Sequence, residues 1–329
     1  MVYRTDRKSG LFFYTKTRKG VTQMNMSYET FKEQVNKDIK DYVGEKYPEA
    51  STTYKKKYLI NEAYDAVKIS INNNATSLDI ERMYDEYCER EKEDYQDLMS
   101  DIYEIIDSAL YILENLAEEF NWTKEDVKKD QIVFCLINTE KNKEFLKNLP
   151  HREFLDLSVV YKYLPHDGIP LFINNDLCKD MGFNEKELYQ LAKENTRKIY
   201  DFKCEDYYKF LKKALSKTKI PEEFFELRFG KLKNCNLGYL LLAKGNFYGT
   251  AGLLYDDILE ELSERLKGDF YIIPMSIHEC VIHDVASNNA QFLKNLILSQ
   301  NEEDISIRDF LSDSLYFYSA TRKKIEIVE

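Results

Sequence analysis

Proline and glycine are scarce, at six and eleven in 329 residues. That scarcity excludes collagen-like, linker-rich and many-turned all-β architectures. Long apolar runs are absent as well. The run at 11–14 is far shorter than a signal peptide requires, and the run at 239–243 is strand-sized beside the ~20 residues of a membrane span. The six cysteines (Cys88, Cys135, Cys178, Cys204, Cys235 and Cys280) form no C-x-x-C pair and no tight framework. They read as reduced thiols, mostly buried, of a cytoplasmic protein. Basic charge is in deficit, 47 Lys and Arg against 58 Asp and Glu. A net charge of −11 disfavours a protein that coats nucleic acid, because neutralising phosphates needs an excess of cations. No fixed-period repeat is present, which excludes solenoids.

What is present is ample core. Hydrophobic residues make up 43% and aromatics 14%, so the chain folds, and its length corresponds to roughly two domains of ~150 residues. Charge is unevenly placed. Residues 1–25 carry six bases against Asp6, whereas residues 78–120 carry fifteen acids against Arg82, Arg90 and Lys92. That single stretch is at −12, more than the whole net charge. Three segments follow: a basic extension at 1–25, a helix-rich acidic region at 26–121, and a body at 122–329, with one continuous domain over 26–329 as the alternative.

Ser27 and Glu29 open a helix whose Tyr28, Phe31, Val35, Ile39 and Tyr42 recur at helical spacing until Gly44. Strand-like runs at 52–60 and 66–71 form a small hairpin, and a long helix covers 93–120. Its stripe of Ile102, Ile105, Ala109, Leu113 and Leu116 is expected to pack on the body, leaving the acids in water. From Trp122 onward short strands alternate with helices: strands at 131–138, 153–164 and 169–173, a Thr139-capped helix to 148, and a capping box of Asn184 with Glu187. Helices at 206–216, 256–266 and 289–298, a short Ser306-capped helix, a strand at 237–243 and hairpins at 270–283 and 315–328 complete the chain. Hairpins interleaved with helices, without sustained βαβ spacing, predict an α+β fold with a helix-rich N-terminal part on a body of short antiparallel strands.

The stretches Leu136-Ile137-Asn138-Thr139-Glu140-Lys141-Asn142 and Leu149-Pro150-His151-Arg152-Glu153-Phe154-Leu155-Asp156-Leu157 resemble the core motif of an uncharacterised bacterial family found in gut anaerobes. Tyr248-Gly249-Thr250-Ala251, Phe270-Tyr271-Ile272-Ile273-Pro274 and Ser276-Ile277-His278-Glu279 resemble the same family. The resemblance runs from about Ser27 to the C-terminus and departs at Met275, where a small residue is expected. The family has no assigned activity, so the resemblance implies no catalytic role.

Two candidate sites emerge from the residues. Ile277-His278-Glu279-Cys280-Val281-Ile282-His283-Asp284 is the densest reactive run, but its histidines are five apart and do not make H-E-x-x-H. A zinc site would need ligands from His151 or His166, and no metal or cofactor is expected. His151, Asp156, His278 and Glu279 could instead supply a histidine base oriented by a carboxylate, the parts of a small hydrolase. The run at 245–252 matches no phosphate-binding motif and reads as a tight turn. The second candidate is the acidic helix, where Asp94, Asp97, Asp101, Glu104 and Asp107 form a docking face for a basic protein partner. This leading expectation is a non-enzymatic interaction or regulatory protein. Nucleic acid could be touched only through the basic N-terminal segment.

Overall fold

The computed structural model describes residues 3–5, 12–14, 26–72, 74–90, 95–115, 127–165, 170–217, 221–230, 238–245, 247–286, 289–303 and 305–329. Asp94, Leu116, Trp122 and His166 lie outside them. The fold is α+β, and the chain divides into two compact units, one of residues 1–55 and 65–119, the other of 56–64 and 120–329.

In the first unit, Tyr3–Thr5 (β1) pairs antiparallel with Phe12–Tyr14 (β2). Helix α1 (Tyr28–Lys46) opens where Ser27 Oγ accepts the Thr30 N–H at 3.3 Å. Phe31, Val35, Ile39 and Val43 recur every four residues and are buried. The helix runs past Gly44, because a glycine stops a helix only when it takes up a left-handed conformation, and Gly44 does not. Three strands follow as an antiparallel meander, β3 (Ser51–Leu59), β4 (Glu62–Ile71) and β5 (Asn74–Asp79). The third strand and helix α2 (Ile80–Glu89), N-capped by Asp79, were not expected.

Helix α3 (Tyr95–Asn115) corrects the expected helix phase. Its buried side chains are Leu98, Met99, Ile102, Ile106 and Leu110, while Ile105 is 55% exposed. Ile105 and Ile106 are neighbours, and either continues the 3.6-residue period from Ile102. The core that decides between them is the first unit's own, formed with α1, α2 and β4. Phe31 sits at its centre, with the rings of Tyr84, Tyr87 and Tyr95 at 5.2, 5.2 and 6.0 Å.

The second unit contains two antiparallel sheets. In the first, β6 (Ile132–Asn138) pairs with β8 (Leu157–Tyr163), whose other edge takes β7 (His151–Phe154) and β9 (Leu171–Phe172). The predicted strand at 153–164 is thus two strands around a Leu155-Asp156 turn, with Leu155 at φ 57°. Apolar alternation continues unbroken across that turn and hides it. Nor is β8 half-buried, since all seven of its residues are buried. One face of β6 and β8 joins the main core through Phe134, Val159 and Tyr161. The other, carrying Cys135, Val160 and Lys162, is covered by helix α4 (Lys143–Leu146) and by Phe172 and Tyr248. Helix α4 is shorter than predicted, because the Thr139 hydroxyl bonds Ser158 Oγ at 2.8 Å instead of capping it.

The second sheet has six strands in the order β10-β11-β13-β12-β14-β15. These are β10 (Lys203–Asp206), β11 (Tyr239–Leu242), β12 (Phe270–Pro274), β13 (Cys280–Asp284), β14 (Tyr316–Ser319) and β15 (Lys324–Ile327). Helices α5 (Asn175–Asp180), α6 (Glu185–Tyr200), α7 (Tyr207–Ser216), α8 (Glu222–Phe229), α9 (Asp256–Leu266) and α10 (Ala290–Glu303) complete the unit. The expected Ser306-capped helix is a single turn ending at Asp309. Helix α6 opens with the predicted capping box. Asn184 Oδ1 accepts from Glu187 N–H, and Glu187 Oε2 accepts from Asn184 N–H, both at 3.0 Å. Asn184→Ala is therefore expected to lower stability by about 1 kcal/mol, read as a shifted urea midpoint with an unchanged slope.

The tip of the β3–β4 hairpin, Lys56–Tyr64, also belongs to this unit. Asn61, at φ 58°, receives its anchoring there: its N–H donates to Asn142 Oδ1 at 2.7 Å, and its Nδ2 to the Phe310 carbonyl at 2.7 Å. Asn142 Nδ2 in turn donates to Asn61 Oδ1 and to the Asn138 carbonyl, both at 2.7 Å. Asn138 Nδ2 reaches the Leu311 carbonyl at 3.0 Å. Two asparagines of the first family-like stretch thus serve as hydrogen-bonded joints between loops.

Candidate functional site

The acidic candidates are divided by the helix phase. On α3, Asp97, Asp101 and Glu104 are exposed. Asp107 is not part of that face. It accepts the Tyr42 and Tyr47 phenols at 2.8 Å each and the Lys46 ammonium at 2.7 Å. Partial burial raises the Asp107 carboxyl, but these donors outweigh it and hold the group below the usual carboxylate range. On the exposed face, Asp101, Glu104, Ile105, Ser108 and Ile112 line a shallow groove. They follow one another at i, i+3/4, i+7 and i+11, about a third of a turn around the helix from the buried stripe. Ile105, Tyr111 and Ile112 are 55, 64 and 44% exposed. Helix α2 adds exposed Glu81, Asp85 and Glu86. Arg90 ties the two helices together, reaching Glu86 at 2.9 Å and Asp101 at 2.5 Å.

The reactive candidates of the second unit do not meet as one constellation. His151 is exposed at the edge of an open cavity of about 430 Å³, and its Nδ1 lies 2.9 Å from the Leu149 carbonyl. Its neighbour Arg152 makes a two-pronged bond to Glu185 at 2.8 and 2.9 Å and stacks 3.6 Å from the Tyr189 ring centre. Asp156, at the far end of β7, accepts from Ser312 Oγ at 2.6 Å, Ser314 Oγ at 3.0 Å and Tyr316 Oη at 2.6 Å. It anchors the approach to β14.

His278 precedes β13 rather than lying on a strand of the expected hairpin. Both ring nitrogens are engaged. Nε2 is 3.3 Å from Asp309 Oδ1, and Nδ1 accepts the Tyr248 N–H at 3.3 Å, which together place the ring proton on Nε2. The bond from His278 pulls the Asp309 carboxyl below its ordinary range, with Ser306 assisting. Glu279 is shifted upward by burial. Among the described residues no group of three His, Cys, Asp or Glu side chains could hold a metal ion.

The glycine-containing run at 245–252 does turn tightly, and its partner is His278. Gly245 has φ +83°, Gly249 N–H donates to the His278 carbonyl at 2.6 Å, and Thr250 Oγ1 donates to the Ile277 carbonyl at 2.7 Å. A Cβ on Gly249 would lie 2.5 Å from that His278 oxygen, so only glycine fits. Between the glycines Tyr248 is held at φ 56°, a left-handed conformation uncommon for a bulky residue. Its ring lies 5.4 Å from that of His278 and its phenol accepts a bond from Lys162 Nζ.

Lys162, Tyr248 and Asp309 form part of this cluster, and the sequence does not single them out. Alternation along 153–164 assigns Lys162 to solvent, and its partner lies 86 positions away. The only available signal was a lysine inside an apolar run of strand length. Burial lowers the Lys162 ammonium from its usual value, with a smaller opposing influence from Cys135. Burial likewise pushes the Cys135 thiol up to about 11, which makes it inert at neutral pH.

No helix among the described residues is long and apolar enough to cross a membrane. Among known proteins, no curated sequence and no solved structure matches the chain. A family model described as a family of unknown function (DUF5688) matches residues 28–320 and so spans both acidic helices and the His278 cluster. On that match the chain belongs to the DUF5688 family.

Proposed function

We propose that this protein is a non-enzymatic, cytoplasmic interaction protein that docks a basic, amphipathic protein segment on the outer face of α2 and α3. The observation that supports this reading is the combination on α3 of exposed Ile105 and Ile112 with Asp97, Asp101 and Glu104 beside them. An acidic surface alone is an ordinary solvated face. Apolar side chains set among carboxylates give a partner something to bury, while the charges steer its approach and select for lysine and arginine. A hydrolase built on His151, Asp156, His278 and Glu279 is less well supported. Its best histidine has both nitrogens occupied, and its Asp156 already accepts three hydroxyl groups.

The test is capture from native lysate by the full chain at low and high salt, set against two variants. Capture of basic proteins is expected to weaken with ionic strength, as interactions beyond the ~8 Å Debye length are screened. Reversal of Asp97, Asp101 and Glu104 to lysine should abolish it, and Ile105→Ser with Ile112→Ser should weaken it at every salt concentration. A chain that captures nothing at any ionic strength, or captures equally well after reversal, refutes the docking face.

A further inference from the structure

Lys162, the penultimate residue of the fully buried β8, is 6% exposed, and among the described residues no carboxylate accompanies it there. Its surroundings are the Tyr248 phenol, which its Nζ hydrogen-bonds, and the faces of Phe172 and Tyr248, 4.5 and 4.4 Å from Nζ to the ring centres. Phe145 packs edge-on against Phe172 at 5.1 Å and extends the apolar wall. An ammonium enclosed this way loses its hydration, and burial lowers it from the usual lysine value. A second phenol stands close by. Tyr200, 5% exposed with its ring 6.1 Å from that of Tyr248, has a buried hydroxyl with no hydrogen-bond partner. Such a group normally finds a partner, and an unfilled donor whose ring packs against that of Tyr248 is open to a ligand oxygen.

We infer that Lys162 is an amine that condenses with a small aldehyde or ketone, with the Tyr248 phenol as its proton donor. Formation of an imine needs a free amine, a proton donor for the departing hydroxyl and few competing waters; burial shifts Lys162 toward the first, the hydrogen-bonded Tyr248 hydroxyl is the second, and the apolar enclosure limits water. The amine nitrogen adds to the carbonyl carbon, the π pair moves to oxygen, and a proton passes from nitrogen to that oxygen. The Tyr248 hydroxyl then protonates the carbinolamine hydroxyl, which leaves as water as the nitrogen pair closes the C=N bond. The phenolate recovers its proton from the iminium nitrogen. One carbonyl compound and one lysine thereby become one imine and one water. Enclosure of Lys162 restricts the substrate to a few carbon atoms.

The test treats the full chain with propanal and sodium cyanoborohydride at neutral pH and follows N-propylation of each lysine by peptide mass spectrometry. Lys162 is expected to react at least about 10-fold faster than exposed Lys141 and Lys244, because only the free amine attacks. Tyr248→Phe should slow labelling of Lys162 by about 10²-fold and leave the exposed lysines unchanged. Lys162→Met should remove the fast adduct alone, with circular dichroism verifying that both variants fold. Lys162 labelling no faster than the exposed lysines overturns the inference, and so does a folded Tyr248→Phe chain that labels at the original rate. The capture experiment on the acidic face is independent of either result.

Discussion

Asp156→Ala is expected to destabilise the protein by about 3–5 kcal/mol, the range seen when one partner of a buried, charged hydrogen-bond network is removed. The carboxylate accepts from Ser312, Ser314 and Tyr316, and the last of these is fully buried. Truncation would leave the Tyr316 hydroxyl in the core without an acceptor and release the Ser312–Ser314 segment from the β7–β8 turn. Asp156→Asn keeps one acceptor oxygen and no charge, so it should lose a smaller part of this. Chemical denaturation of the three proteins decides the matter. A loss below about 1 kcal/mol for alanine would show that the network contributes little beyond what water supplies. The role is opposite to that expected of a catalytic carboxylate, whose removal costs turnover and leaves the midpoint nearly unchanged.

Lys162→Met is expected to act in the other direction and raise stability by about 1–4 kcal/mol at neutral pH, as replacing a buried ionic group by an apolar one of similar shape often does. Methionine matches the length of the lysine stem and suits contact with Phe172 and Tyr248. The pH dependence has a definite sign. Burial depresses the folded-state pKa below the unfolded value, so between the two the unfolded chain binds more protons and stability rises with pH. The cost of the lysine is complete below its folded pKa and is relieved as pH climbs toward the ordinary lysine value of 10.5. The advantage of the methionine variant should therefore be largest at neutral and acidic pH and shrink under alkaline conditions. Melting temperatures of the two proteins across that span measure it, and a variant that melts lower at every pH contradicts the argument. A lysine that lowers stability and carries a reactive amine is the usual trade between stability and activity.

The sequence alone determined what nearest neighbours control. Ser27 and the Asn184–Glu187 pair begin helices because short polar side chains satisfy the backbone N–H groups within three residues of them. The run at 132–138 forms a buried strand because it has no polar side chain before Asn138, and the hairpins at 270–284 and 316–327 pair as strands separated by short turns do. From these pieces the α+β class followed.

The tertiary structure decided every question that turns on which surface a side chain meets. Ile105 and Ile106 serve the helical period equally well, and only the core shared with α1 and β4 buries one and exposes the other. Alternation along β8 records two faces without recording that Phe172 and Tyr248 cover the second, which is why Lys162 reads as solvated and is enclosed. Asp156 is joined to hydroxyls 156 to 160 residues away, and His278 to the amide of Tyr248 thirty residues before it. Partners at such separations leave no local periodicity. Their placement follows from packing two sheets and their helices around a shared core, where the cost of stranding a polar group selects which distant residue must meet it.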